Sequence, residues 1–229
     1  AKQQAAAAVC ASNIRQLMIA NLGYADDNGD ALVLGAEDIV AENHKRWHGV
    51  RDNLNEPFDP QRGPLAAFLG DGEVKACPQR VAFTEETNWS ANFEAGCGGY
   101  GYNLTYLGSR VWELGMNGYA KATKLTQIGN PAETLMFADA AMTMPDDAGT
   151  PYYLQYSFAE PPFFVSNGRP EPSWGYASPS IHFRHNGKTN AGWSDGHVEV
   201  HEMAPSEEIN VYGVKSAQMN IGWFDPIDN

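Results

Sequence analysis

A chain of 229 residues with 43% hydrophobic and 19% charged side chains is long enough for one buried core and too apolar to be disordered, and one large domain is a better prior than two. A formal net charge of −13 repels phosphate backbones and argues against nucleic acid as a partner. The same excess of carboxylates suits hard cations, calcium above all, or serves solubility alone.

Residues 1–30 carry the clearest pattern, AKQQAAAAVCASNIRQLMIANLGYADDNGD. Alanine and unbranched side chains favour a helix. Cys10, Ile14, Leu17, Met18, Leu22 and Ala25 recur at steps of three and four and form one apolar stripe. The turn residues at 26–30 should end the helix. It opens without a cap or an initiator Met, so it reads as the C-terminal half of a longer helix. No run approaches the ~18 apolar residues of a membrane-spanning segment, and no signal peptide is present.

Residues 31–73 read as a helical and loop connection. GAEDIVAENHKRWHGVRDN, at 35–53, predicts a second, shorter helix. A loop with Pro57, Pro60 and Pro64 follows, and then PLAAFLG, a short helix stopped by Gly70. Residues 74–229 change character. Short runs such as VKACPQ, GYGYNLTYLG, TLMFADAA, PSIHFRH and HVEVHEM, separated by turn clusters, predict antiparallel strands. Asp195-Gly196, between two such runs, is a hairpin signal. The expected fold is α+β, a long N-terminal helix laid on an antiparallel sheet. Residues 144–180 form a Pro- and aromatic-rich, insertion-like stretch.

Several constellations carry candidate chemistry. Of the three cysteines, Cys77 and Cys97 lie in one turn-rich region and are the expected disulfide, with free buried thiols as the alternative. Asp26, Asn28 and Asp30, with Glu37 eleven residues after Asp26, follow the spacing of a calcium loop, but Ala31 stands where the sharp turn calls for glycine. A solvated helix end is the preferred reading. His185 and Asp195 suit a hydrogen-bonded clasp holding the last strands, with Asp139 as another acceptor. A catalytic or metal dyad is less favoured, because no nucleophile is recognisable nearby.

His44 and His48 lie four apart, His197 and His201 flank Glu199, and His182 is close to His185. A metal-dependent enzyme would need three of them to converge. Tyr152, Tyr153, Tyr156, Phe158, Phe163, Phe164, Trp174 and Tyr176 suit core packing first, then a subunit contact, then a glycan- or partner-binding surface. Sequons stand at Asn88 and Asn103. Dinucleotide, P-loop, G-x-S-x-G and HExxH signatures do not occur.

Four blocks resemble one family in order: CASNIRQLMIANLGYADDNGD, RGPLAAFLGDGEVKACPQ, YGYNLTYLG with LTQIGNPAETLMFADAA, and RHNGKTNAGWSDGHVEV. In the last, His185, nine residues and Asp195-Gly196 match the spacing that names the H-x9-DG prepilin-associated, pseudopilin-like proteins. The resemblance implies a pilin-like fold and a non-catalytic role. The chain would be a subunit of an extracellular pilus, type II secretion pseudopilus or related filament, with itself and other pilin-like subunits as partners. It also implies a segment of about 25–30 apolar-rich residues ahead of Ala1, long enough to cross a bilayer. That segment would anchor the chain in the inner membrane before assembly. Calcium in the globular head is common among secretion pseudopilins, so the resemblance favours calcium without naming its ligands.

Overall fold

The computed structural model describes residues 2–79, 94–145, 151–161, 165–166, 169–170 and 180–202. Helix α1 spans Lys2–Asp27, about 39 Å at 1.5 Å per residue. Cys10, Ile14, Leu17, Met18 and Ala25 are buried and Leu22 is half-buried, the face that helical periodicity dictates. Two asparagines complete that face. Asn13 Nδ2 donates to the Tyr100 hydroxyl at 2.9 Å, and Asn21 Oδ1 accepts from the Val33 N–H at 2.8 Å. Both amides therefore enter the core with partners. The helix stops where Asn28 Nδ2 donates to the Tyr24 carbonyl at 2.7 Å and the Asp30 N–H to the Ala25 carbonyl at 2.9 Å. These bonds satisfy carbonyls that a helix end leaves open.

The second helix expected over residues 35–53 does not form. Turns lead instead into a short antiparallel pair, β1 (Lys45–Arg46) and β2 (Gly49–Val50). Two local devices oppose a helix. The Asp38 carboxylate accepts from the backbone N–H groups of His44 at 2.8 Å and Lys45 at 3.0 Å, an alternative to helical bonding. Asn43 takes a φ of 60°, a region that interrupts a right-handed helix. A tertiary device completes the change: Trp47 is buried, and its Nε1 donates to the Ser157 carbonyl at 2.7 Å. PLAAFLG yields a single 3₁₀ turn at Ala66–Phe68.

The remaining elements are β3 (Tyr100–Tyr102), the one-turn α2 (Val111–Leu114), β4 (Leu135–Asp139), β5 (Met142–Pro145), β6 (Pro151–Leu154), β7 (Val165–Ser166), β8 (Arg169–Pro170), β9 (Lys188–Trp193) and β10 (Val198–Glu202). A four-stranded antiparallel sheet runs β10-β9-β4-β3. With α1 on it, the chain is α+β. Strands β5 and β6 pair as a hairpin, as do β7 and β8. The β7–β8 hairpin lies in the expected insertion, and the β5–β6 hairpin crosses its start. Phe163, Phe164, Trp174 and Tyr176 of that stretch lie outside the described residues.

Every residue of β4 is buried, because the sheet is covered on both sides. One cluster joins Cys10, Ile14, Leu17 and Met18 of α1 to Met136 and Phe137 of β4 and to Tyr100 and Tyr102 of β3. The other joins Leu135, Ala138, Ala191 and Trp193 to Tyr106 and Trp112. A strand buried on both faces reads as a continuous apolar run rather than an alternation, which is the LMFA of β4. The helix packs tightly on β9 at Gly192, where an added Cβ would lie 2.5 Å from Met18 Sδ and 2.6 Å from Ile14 Cγ2. Tyr156 and Phe158 pack together in a satellite core with Ala36 and Leu104. Among the described residues, no helix is long and apolar enough to cross a membrane.

Candidate functional site

The cysteines pair differently from the expectation. Cys77 is bonded to Cys10, with Cα atoms 5.2 Å apart, and Cys97 is a free, buried thiol. The Cys77 N–H donates to the Gly98 carbonyl at 2.9 Å, so the loop runs beside Cys97 by its backbone. Its side chain serves α1, whose apolar stripe presents Cys10. Cys97 Sγ instead faces Gln155 Oε1 at 3.6 Å. Burial pushes the Cys97 thiol up to about 12, which leaves it protonated and inert at neutral pH.

The expected His185–Asp195 clasp does not form; His185 stands instead beside the other candidate acceptor, Asp139, as a close contact rather than a hydrogen bond. His185 Nε2 lies 3.3 Å from Asp139 Oδ2, and Asp195 is not its partner. The residues between His185 and Asp195 include all of β9, so the two sit at opposite ends of a strand about 20 Å long. Asp139 ends β4, beside the start of β9, where the Asn190 backbone N–H and Nδ2 donate to its Oδ2 at 2.8 and 2.9 Å. Asp195 stays in its own turn, accepting from the His197 N–H at 3.0 Å and facing His197 Nδ1 at 2.6 Å. That turn closes with Trp193 N–H donating to the His197 carbonyl at 3.0 Å. Gly196 supplies the φ of 96° that the hairpin requires.

The disulfide and the His185–Asp139 contact are one site. Cys77 Sγ is 3.8 Å from His185 Nε2, and the donor atoms of Cys10, Cys77, Asp139 and His185 all lie within 4.8 Å of one another. Among the described residues this is the group of such side chains near enough to share an ion. Asp139 is 0% and His185 6% exposed. Asp139 Oδ1 and His185 Nδ1 have no hydrogen-bond partner among the described residues. A cleft of about 240 Å³, between Gln3, Gln4 and Ala7 of α1 and Lys188 and Asn190 of β9, reaches His185. His182, three residues before His185, is pushed down to about 3 by burial, with the Arg184 charge adding to it. As it stands the site is a mechanical joint. It fixes α1, the Cys77 loop, the end of β4 and the start of β9 at one point.

The calcium spacing does not become a calcium site. Asp26 is exposed on the last turn of α1, and the Asn28 amide is engaged with the Tyr24 carbonyl. Asp30 has a φ of 73°, and its carbonyl accepts from Leu125 N–H at 2.9 Å. Glu37 pairs with Lys45 Nζ at 2.7 Å. The helix continues through Asp26, the turn after it is closed by its own backbone, and Ala31 bridges to Lys124, so Asp26, Asp30 and Glu37 do not gather closely enough to share an ion. His44 and His48 share no helix face: His44 lies near Glu42 while His48 is buried. His197 and His201 both approach Glu199, at 3.7 and 3.2 Å. Asn103 is buried with its Nδ2 donating to the Leu135 carbonyl at 2.9 Å, so this sequon is closed to modification in the folded chain. Asn88 lies outside the described residues.

A second buried polar cluster had no signal in the sequence. Arg46, Glu94 and His48 all have fully buried side chains. Arg46 Nε donates to Glu94 at 2.9–3.0 Å and Nη2 at 2.8 Å, and the Ser157 hydroxyl donates to the same carboxylate. His48 Nε2 lies 3.8 Å from Glu94 Oε2, beyond a hydrogen bond. Burial raises the Glu94 carboxyl, but the Arg46 charge and the surrounding contacts outweigh it and hold the group below its ordinary value. Burial pushes His48 down. Arg46 and Glu94 are 48 residues apart, so no local pattern links them.

Comparison with protein families, with curated proteins and with solved structures finds no match.

Proposed function

We propose that this chain is a non-catalytic structural subunit of an extracellular pilus, pseudopilus or related filament. The observation that carries the reading is the way α1 is held. Its buried stripe begins at Cys10, whereas residues 3–9 are exposed or half-exposed. The head buries the helix from its third turn onward, and the first turns only border the cleft beside β9. Val9 and Ile19, 47% and 59% exposed, are apolar positions available to a neighbouring subunit. A covalent bond at the point of grip suits a subunit that bears load, and it suits an oxidising, extracellular compartment. The resemblance of the four sequence blocks to pseudopilin-like proteins supports the same reading, with the partners being further copies and other pilin-like subunits.

The test is made on the native cell surface. Surface appendages are sheared off, imaged by electron microscopy and probed with antibody to this chain. The expected result is fibres that carry the label along their length or at their tips. Recovery of the chain solely as a monomer, with no labelled fibre under conditions where it is expressed, would end the proposal.

A further inference from the structure

Cys10, Cys77, His185 and Asp139 come from α1, the loop at 77, the turn before β9 and the end of β4, and their donor atoms lie within 4.8 Å of one another. Tetrahedral zinc, with Zn–S of ~2.3 Å and Zn–N or Zn–O of ~2.0–2.1 Å, holds its donors about 3.3–3.8 Å apart. His185 Nε2 already sits 3.3 Å from Asp139 Oδ2 and 3.8 Å from Cys77 Sγ. The carboxylate is prepared as a ligand. Asn190 orients it with two hydrogen bonds to Oδ2, the outer contacts that fix a metal-binding carboxylate. Its Oδ1, fully buried, has no hydrogen-bond partner among the described residues, which is rare for a carboxylate oxygen with nothing to receive. The cleft that reaches His185 supplies an entry path.

We infer that the dithiol form of this chain binds one zinc(II) ion at Cys10, Cys77, His185 and Asp139, and that forming the Cys10–Cys77 bond closes the site. Disulfide sulfurs are not zinc ligands; thiolates are. The mixture of two thiolates, an imidazole and a carboxylate suits zinc better than copper(I), which favours sulfur alone. The interconversion balances. An external dithiol gives two electrons and two protons to the disulfide and becomes a disulfide itself. Zinc then displaces the two thiol protons to water. In both states α1 stays fastened to the sheet at the same point, by a covalent bond after oxidation and by the ion before it. The inference stands independently of the filament reading.

The whole chain is reduced with a phosphine, freed of reductant without air, and titrated with cobalt(II) and then zinc(II), with circular dichroism in parallel. The expected result is one cobalt per chain, showing the intense visible bands of tetrahedral cobalt and thiolate-to-cobalt charge transfer. Zinc should displace it with a dissociation constant below about 1 μM, within the range of structural zinc sites. The oxidised chain should show neither signal. His185→Ala should lose the tetrahedral spectrum. Asn190→Ala, which keeps all four ligands, should weaken binding by about 10–100-fold. If reduction unfolds the chain, zinc should restore its helical signal. Three results would each overturn the inference: a reduced chain that binds no cobalt, one that binds it without tetrahedral bands, or one whose bands survive unchanged in His185→Ala.

Discussion

Cys10, in the third turn of α1, is bonded to Cys77, 67 residues further along the chain, and the bond lies against the His185–Asp139 contact. A cross-link that closes a loop of this length removes much of the freedom of the unfolded chain. Chain-entropy arguments put its stabilisation at about 4 kcal/mol. Cys10→Ser/Cys77→Ser, measured by urea unfolding with a chelator present, should lose most of that amount. Cys97→Ser should cost far less, because that thiol closes no loop. Equal losses in the two variants would contradict the pairing.

Gly192 is a point of tight packing between α1 and β9. An alanine methyl there would sit well inside contact distance of Met18 and Ile14. Helix and strand are both anchored elsewhere and cannot part freely. Gly192→Ala is therefore expected to cost about 1–3 kcal/mol, the range for overpacking a filled core. Combining it with Met18→Ala should recover part of the loss, since the shorter side chain makes room. A thermal melt of Gly192→Ala, Met18→Ala and the double variant decides this.

Glu94 and Arg46 are buried together, and removing one leaves the other charged and unpaired. Glu94→Gln is expected to destabilise the chain by about 3–5 kcal/mol. Arg46→Met/Glu94→Leu should lose clearly less than the sum of its two single changes, because no lone charge remains. Additive losses would show that the pair is not coupled.

The same cluster sets a pH dependence. His48 is held below its ordinary value of 6.5 by burial, so the fold prefers the neutral ring. Its contribution is complete above pH 6.5. It is lost as pH falls from there toward the lowered folded value, because the unfolded chain takes up a proton that the folded chain refuses. Glu94, held below its ordinary 4.5 by Arg46 against the effect of burial, contributes above pH 4.5 and loses that contribution as pH falls through its folded value. Stability should therefore decline in two stages on acidification. His48→Gln should make the upper stage shallower, leaving the part that His182 contributes, and leave the lower one unchanged. An unchanged slope between pH 6.5 and 5 would refute the assignment.

Helix α1 and the β9–β10 hairpin were legible in the sequence because each is determined locally. Cys10, Ile14, Leu17 and Met18 form a face through helical geometry alone, and Gly196 permits a turn wherever the chain carries it. The Cys77 partner was not legible, nor was the choice between Asp195 and Asp139 for His185, nor the fate of residues 35–53. Cys77 meets Cys10 because of where α1 lies on the sheet. His185 meets Asp139 because the β4–β9 register brings the end of one strand to the start of the next. Residues 35–53 forgo a helix in part because Trp47 and Arg46 find partners in Ser157 and Glu94, residues far away in sequence. The α+β character and the gripping face of the helix were thus determined by the sequence itself. The joint that fastens helix to sheet, and the cluster of donors gathered there, were decided only by the tertiary structure, because contacts between distant segments depend on how whole elements pack.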